Sequence, residues 1–73
     1  MTLADLPLNK TAKISALPQD ESIAAQLIEQ GFTLSSYISL AHKAPFNGPM
    51  AFRIHNTKIS IQRAIAAQIG VSI

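Results

Sequence analysis

The sequence predicts a small, mainly β domain in which about five short strands form a closed or nearly closed barrel, with one short helix. Apolar and polar residues alternate with a period of two in several short segments, as they do in half-buried strands. A turn-rich hinge, Ala44-Pro45-Phe46-Asn47-Gly48-Pro49, separates two of these segments. The length of 73 residues fits one domain, residues 1–73, with a thin margin of stability.

The amino-terminal segment predicts a helical turn followed by a first strand. The turn runs from Thr2, its expected cap, to Leu8, and it places Leu3 and Leu6 on one side. The strand runs from Ala12 to Ala16 and stops before Pro18, because proline cannot donate a hydrogen bond within a sheet.

A helix follows, and its two ends are marked by typical capping residues. Asp20 is the expected amino-terminal cap, and Gly31 suits the left-handed position after the last turn. Four apolar residues with helical spacing predict the face that packs on the core: Ile23, Ala24, Leu27 and Ile28.

The second and third strands flank the hinge. An apolar step, in which Leu34 is expected to point inward, leads into a strand from Tyr37 to His42. After the hinge, a strand from Met50 to His55 has Phe52 on the face opposite to that of Arg53.

The carboxyl-terminal part predicts a hairpin, a helical turn and a closing strand. Asn56-Thr57 is the expected turn into a fourth strand that contains Ile59 and Ile61. The alanine-rich segment 63–68 predicts one helical turn, and the alternation over residues 69–73 predicts the last strand.

Composition and charge favour a function in binding. Hydrophobic residues make up 48% of the chain, more than so small a body can bury, so we expect exposed apolar surface that contacts a partner or a second copy. The net charge is +2, and every charge after Glu29 is positive. These cations predict a mildly positive face: Lys43, Arg53, Lys58 and Arg63.

The sequence lacks the motifs that are typical of several classes of enzyme and of cofactor-binding protein. There is no cysteine, no nucleophile elbow and no phosphate-binding glycine loop, so we expect no enzyme, no catalytic residue and no cofactor. Asp20 and Glu21 are adjacent acids whose ordinary role at a helix start is capping. The lack of cysteine, of a leader and of a long apolar run favours a cytoplasmic protein.

Two histidines are the weak candidates for a metal site. His42 and His55 are the good nitrogen donors of the chain, whereas a stable site generally needs three or four protein ligands. We therefore expect no metal site, and two surface histidines are the simpler interpretation.

Four residues are candidates for contact with a partner: Tyr37, Lys43, Phe46 and Arg53. Phe46, at the hinge tip, either folds back over the barrel mouth or is offered to a partner. Tyr37 either lies outside with its polar tip in water or covers the neighbouring helix.

The order of several short motifs resembles the FeoA family, small cytoplasmic proteins of bacterial ferrous iron uptake with an SH3-like barrel. The matching motifs are Leu3-x-x-Leu6, Leu27-x-x-x-Gly31-Phe32, Ala44-Pro45 with Pro49, and Ile59-x-Ile61-x-Arg63 followed by Ala66, Ile69 and Val71. The family usually has glycine near Asn9 and near Ser35, and it usually reads glycine-aspartate before the second hinge proline, where this chain has Asn47-Gly48.

The resemblance implies an accessory protein that acts on FeoB, the membrane iron transporter with a cytoplasmic GTP-binding domain. The expected contact is protein to protein, any membrane association is through that partner, and self-association is left open. Two alternatives stay open. The same barrel occurs at the carboxyl end of DtxR-class metal-responsive repressors, and the four cations after Glu29 would suit a small nucleic-acid-binding barrel.

Overall fold

The structure is a computed structural model, and it describes residues 1–46 and 48–73. Asn47, one of the two hinge positions that depart from the family pattern, lies outside the described residues. The elements are a short 3-10 helix Leu3–Asp5, β1 Thr11–Ala16, α1 Glu21–Glu29, β2 Tyr37–Lys43, β3 Met50–Ile54, β4 Thr57–Ile61, α2 Arg63–Ala66 and β5 Gly70–Ser72. The predicted mainly β fold class is confirmed.

The strands form one antiparallel sheet in the order β4-β3-β2-β1-β5. The amino-terminal residues cover the β5 edge, because Thr2 bridges to Gly70 and the Leu3 amide donates to the Ile69 carbonyl at 2.8 Å. Helix α1 borders the β4 edge across a groove of about 210 Å³. The amino-terminal residues thus shield the β5 edge, which protects that strand from pairing with other chains.

One face of the sheet makes the core. Ile38 and Leu40 of β2 point inward beside Phe52 and Ile54 of β3, as the alternation predicts. The full set of buried apolar side chains is Leu3, Leu6, Ala12, Ile14, Leu27, Phe32, Ile38, Leu40, Met50, Phe52, Ile54, Ile61, Ala66, Ile69 and Val71.

Both predicted ends of α1 are confirmed. The Asp20 carboxylate accepts hydrogen bonds from the Ser22 amide at 2.9 Å and the Ile23 amide at 3.2 Å. Gly31 has φ of 103°, a conformation that residues with a side chain rarely adopt. The predicted core stripe is too wide, since Leu27 is buried but Ile28 is 48% exposed. The helix packs on the barrel along one narrow line, and Ile28, one residue past Leu27, turns out toward water.

The segment between α1 and β2 corrects a second prediction. Leu34 does not point inward but is 59% exposed, because a turn at Leu34 and Ser35 interrupts the alternation. Phe32 fills the core position instead, and the Ser35 amide donates to the Ile14 carbonyl at 2.8 Å. The segment is therefore anchored to β1 through its backbone.

The β3–β4 turn lies one residue earlier than predicted. It consists of His55 and Asn56, with φ of 51° and 63°, and Ile54 pairs directly with Thr57. Two consecutive positive φ values are typical of a type I′ hairpin turn, whose twist matches that of the flanking strands. His55 thus belongs to the turn and not to β3.

Three boundary predictions are also corrected. Thr2 gives no side-chain cap, since its hydroxyl donates instead to the Asp5 carboxylate at 3.1 Å. Helix α2 ends at Ala66, short of the predicted segment 63–68. Strand β5 is limited to Gly70–Ser72, because only these residues find partners along β1.

Two residues occupy backbone positions at which the FeoA family has glycine nearby. Asn9 has φ of 64° and Ser35 has φ of 71°, both in the left-handed region. Asparagine tolerates this conformation better than serine does, so Ser35 is the more strained of the two.

Replacing Ser35 with glycine should stabilise the protein by about 0.5–1 kcal/mol, because glycine removes the cost of positive φ but adds freedom to the unfolded chain. Urea denaturation measures the change. The matched control is Ser36→Gly, where φ is not positive and the hydroxyl lies 2.6 Å from that of Thr33. That variant should lose stability, and a gain at both positions would contradict the assignment of strain to Ser35.

Candidate functional site

The sheet presents its second face to solvent, and this outer face carries cations and one aromatic ring. Its exposed lysine, arginine and tyrosine side chains are Lys13, Tyr37, Arg53 and Lys58. Ser39 pairs with Arg53, and Arg53 pairs with Lys58, so the two cations lie side by side across β3 and β4. No acidic side chain belongs to any of the five strands that the structure describes.

Tyr37 lies on this outer face and is 62% exposed. Its partner in the register is Lys13, whose ammonium nitrogen lies 5.5 Å from the centroid of the tyrosine ring. This distance is within the range of a cation–π contact, which restricts the ring while leaving its far side open. Of the two interpretations of Tyr37, the structure places it outside.

The sequence alone does not reveal the contribution of Lys13. Alternation with Ala12 and Ile14 predicts that Lys13 faces outward. Its contact with Tyr37 depends on the register between β1 and β2, which nothing in either segment specifies. A sequence signal for this contact would have been a cationic and an aromatic residue that both face outward on neighbouring strands.

The hinge holds the most exposed aromatic ring of the described residues. Phe46 is 99% exposed and has φ of 57°. Two backbone hydrogen bonds shape the hinge, from the Ala44 amide to the Pro49 carbonyl at 3.3 Å and from the Gly48 amide to the Pro45 carbonyl at 3.1 Å. The ring does not fold back over the barrel mouth and is fully available for contact.

Lys43 and Arg53 lie on the two strands that flank the hinge, at different distances from it. Lys43 is exposed at the last pair of β2, opposite Met50. Arg53 lies three residues beyond Met50, or about 10 Å further along β3. The structure therefore places Lys43 and Phe46 at one end of the sheet, with Arg53 and Tyr37 on the outer face nearer its other end.

The predicted positive face is only partly assembled. Arg53 and Lys58 are neighbours, whereas Lys43 lies at the hinge end and Arg63 is half-buried on α2. The acids lie elsewhere, with Asp5 in the 3-10 helix and Asp20, Glu21 and Glu29 at or within α1. The chain thus separates an acidic helix from a basic sheet.

The structure does not bring the two histidines together. His42 faces outward opposite Ala51 because a bulge at Ala41 shifts the register of β2. His55 lies in the β3–β4 turn, four residues or about 13 Å further along β3. No group of three or more potential metal ligands of the His, Cys, Asp and Glu types occurs within residues 1–46 and 48–73.

His55 takes part in a polar contact that joins two turns. Its Nε2 lies 3.5 Å from the Ser36 hydroxyl, which lies 2.6 Å from the Thr33 hydroxyl. A Cβ added at Gly31 would meet the His55 ring at 3.4 Å. The histidine therefore packs over the end of α1 and links the segment before β2 to the β3–β4 turn.

The large exposed apolar side chains of the described residues are spread over several elements. They are Met1, Leu8, Ile28, Leu34, Tyr37, Phe46 and Ile73. The excess of apolar residues noted in the sequence does reach the surface, although its members lie at both termini, on α1, in two connecting segments, on β2 and in the hinge. No helix of the described residues is long and apolar enough to cross a membrane.

The chain resembles known proteins along its whole length. Iron(II) transport protein A from Clostridium thermocellum superimposes with a TM-score of 0.94 and 26% identity, over 100% of this chain and 45% of that one. FeoA from Stenotrophomonas maltophilia, described as an SH3 domain protein and solved with zinc, superimposes with a TM-score of 0.85 and 25% identity, over 99% and 89%. The chain thus spans less than half the length of the first relative.

A third solved structure shares the fold alone. It is a manganese-dependent transcriptional repressor with a TM-score of 0.86 and 17% identity, over 100% of this chain and 41% of that one. No curated protein sequence matches the chain. The family model for the FeoA domain matches residues 1–73. The chain therefore belongs to the FeoA family.

Proposed function

We propose that this protein is a non-enzymatic accessory protein of ferrous iron uptake that binds the cytoplasmic GTP-binding domain of a FeoB-type transporter. The iron assignment is supported by two relatives at 25–26% identity, one named iron(II) transport protein A and the other suggested to act as a ferrous iron transport activating factor. The FeoB partner is what the FeoA resemblance implies.

The observation that carries a binding role is the fully exposed ring of Phe46. Leaving an aromatic side chain in water forgoes the free energy that its burial would contribute, and such rings are frequent anchors of protein interfaces. Lys43 is exposed at the same end of the sheet, and Arg53 adds charge on the outer face. An aromatic anchor beside one cation, with further cations along the same sheet, suits a protein surface that carries acidic groups.

The proposed contact covers the hinge end, with Phe46 as the apolar anchor beside Lys43, and extends along the outer face to Arg53 and Tyr37. Burial of Phe46 would provide affinity, while the cations would guide the approach of an acidic partner. The effect on the partner would be a change in its assembly or in its nucleotide cycle, produced by binding alone. Cytoplasmic location follows from the same proposal, because the GTP-binding domain is cytoplasmic.

Binding of the purified protein to the isolated GTP-binding domain of a FeoB transporter tests this function. Isothermal titration calorimetry without nucleotide, with GDP and with a non-hydrolysable GTP analogue should show saturable binding in at least one state. The same titration against the full-length transporter in nanodiscs is the second arm. Binding to the full-length transporter alone would contradict the assigned domain, and binding to neither would contradict the proposed function.

A further inference from the structure

A second groove lies between the hinge and α2. It has a volume of about 360 Å³ and is lined by Gly48, Pro49, Gln62, Arg63 and Ala64. Arg63 is the one charged residue among these lining residues. The groove is therefore open space beside a single cation.

One donor of Arg63 lacks a hydrogen-bond partner among the described residues. Its Nε has almost no surface exposed to water and no hydrogen-bond partner within residues 1–46 and 48–73. A guanidinium carries its charge permanently, and a donor deprived of both water and a protein acceptor is costly. The residue as a whole is half-buried, and it lines the groove.

None of the residues that line the groove supplies a carboxylate to Arg63. The 3-10 helix packs against α2, and the hydrogen bond recorded for its Asp5 carboxylate comes from the Thr2 hydroxyl at 3.1 Å. The hinge lines the groove with Gly48, at the position where the family pattern leads us to expect aspartate. The groove thus combines an arginine and open space with no acid among its lining residues.

We propose that this groove binds a carboxylate side chain from an acidic segment of a partner protein, with Arg63 as its receptor. A carboxylate matches a guanidinium in charge and in geometry, because it accepts two parallel N–H hydrogen bonds. Its charge also offsets the cost of an Nε that water does not reach. The proposal holds whichever protein supplies the acid, so it goes beyond the contact with the transporter.

A carboxylate built into the groove tests the receptor directly. Gly48→Asp and Gly48→Asn introduce side chains of the same shape, and both bring a Cβ 3.0 Å from that of Ala44 and 3.2 Å from the Pro45 carbonyl. Their strain is therefore matched, and the difference between them reports the charge. We expect the aspartate variant to melt a few degrees above the asparagine variant at low salt, with a smaller gap in 1 M NaCl. Equal melting temperatures would contradict a receptor at Arg63.

Titration with a blocked hexapeptide rich in glutamate, followed by NMR, tests capture of an external acid. Glutamate peptide should shift the amide signals of Gly48 and Ala64, and the glutamine analogue should not. The shifts should disappear in Arg63→Gln and in Gly48→Asp, which fills its own groove, and remain in Arg53→Gln. Shifts that persist in Arg63→Gln, or that inorganic phosphate produces at lower concentration, would overturn the proposal. The readout needs no transporter, so its failure is separate from failure of the proposed function.

Discussion

Replacing Phe52 with alanine should remove most of the protein's stability. Phe52 is fully buried on β3, where it pairs with Leu40 of β2 and with Ile59 of β4. Truncating a buried phenylalanine costs about 3–5 kcal/mol through lost burial and the cavity left behind. Since the total stability of a domain is commonly about 5–15 kcal/mol, and small domains lie near the lower end, the loss removes most of it.

Circular dichroism during urea denaturation measures this effect, and the chain provides a matched control. Phe46→Ala is the same substitution at a residue that is 99% exposed, so it should leave the denaturation midpoint nearly unchanged. A Phe52→Ala variant with a midpoint close to that of the wild type would mean that β3 does not lie at the centre of the core.

The sequence predicts the fold well where one residue decides the local structure. Asp20 and Gly31 mark the ends of α1 because a cap and a left-handed glycine have few alternatives. The alternation around Arg53 likewise assigns the faces of β3. Ordered motifs identify the family although no single motif is specific, and the family model over residues 1–73 confirms that identification.

The wrong predictions concern positions at which tertiary contacts decide the local structure. Ile28 has the spacing of a core residue, but the extent of a helix face that is covered depends on its neighbours. Leu34 is apolar, but the positive φ of Ser35 breaks the alternation that would turn it inward. The turn at His55 and Asn56 has no glycine, so the usual sequence signal of a type I′ turn is missing.

The candidate site depends even more on information that is not local. The exposure of Phe46 is undetermined by its neighbours in sequence, because Pro45 and Gly48 allow either direction. Arg63 matches a family motif and carries a charge. That its Nε is buried without a hydrogen-bond acceptor, beside a groove lined by the hinge, is visible only in the folded structure. Composition predicts exposed apolar and basic surface, whereas the strand register decides which residues share it.

Binding to the transporter's GTP-binding domain should be most sensitive to substitution of Phe46 and Arg53. The first substitution should act on the dissociation rate and the second on the association rate. Phe46→Ala should weaken binding at least about tenfold, mainly through faster dissociation, because an anchoring aromatic contributes roughly 1–2 kcal/mol or more. Arg53→Glu should weaken binding several-fold, mainly through slower association, because it repels an acidic partner before contact. Surface plasmon resonance separates the two rates.

Salt and matched variants distinguish these two contributions. Raising the ionic strength should shrink the effect of Arg53→Glu and leave that of Phe46→Ala, because screening acts on charge and not on apolar burial. Arg53→Gln should fall between the wild type and Arg53→Glu. Ile28→Ala, which removes an exposed apolar side chain from α1, should bind like the wild type. If Ile28→Ala weakened binding as strongly as Phe46→Ala, the docking surface would have to include the helix, and the assignment to the hinge end would be wrong.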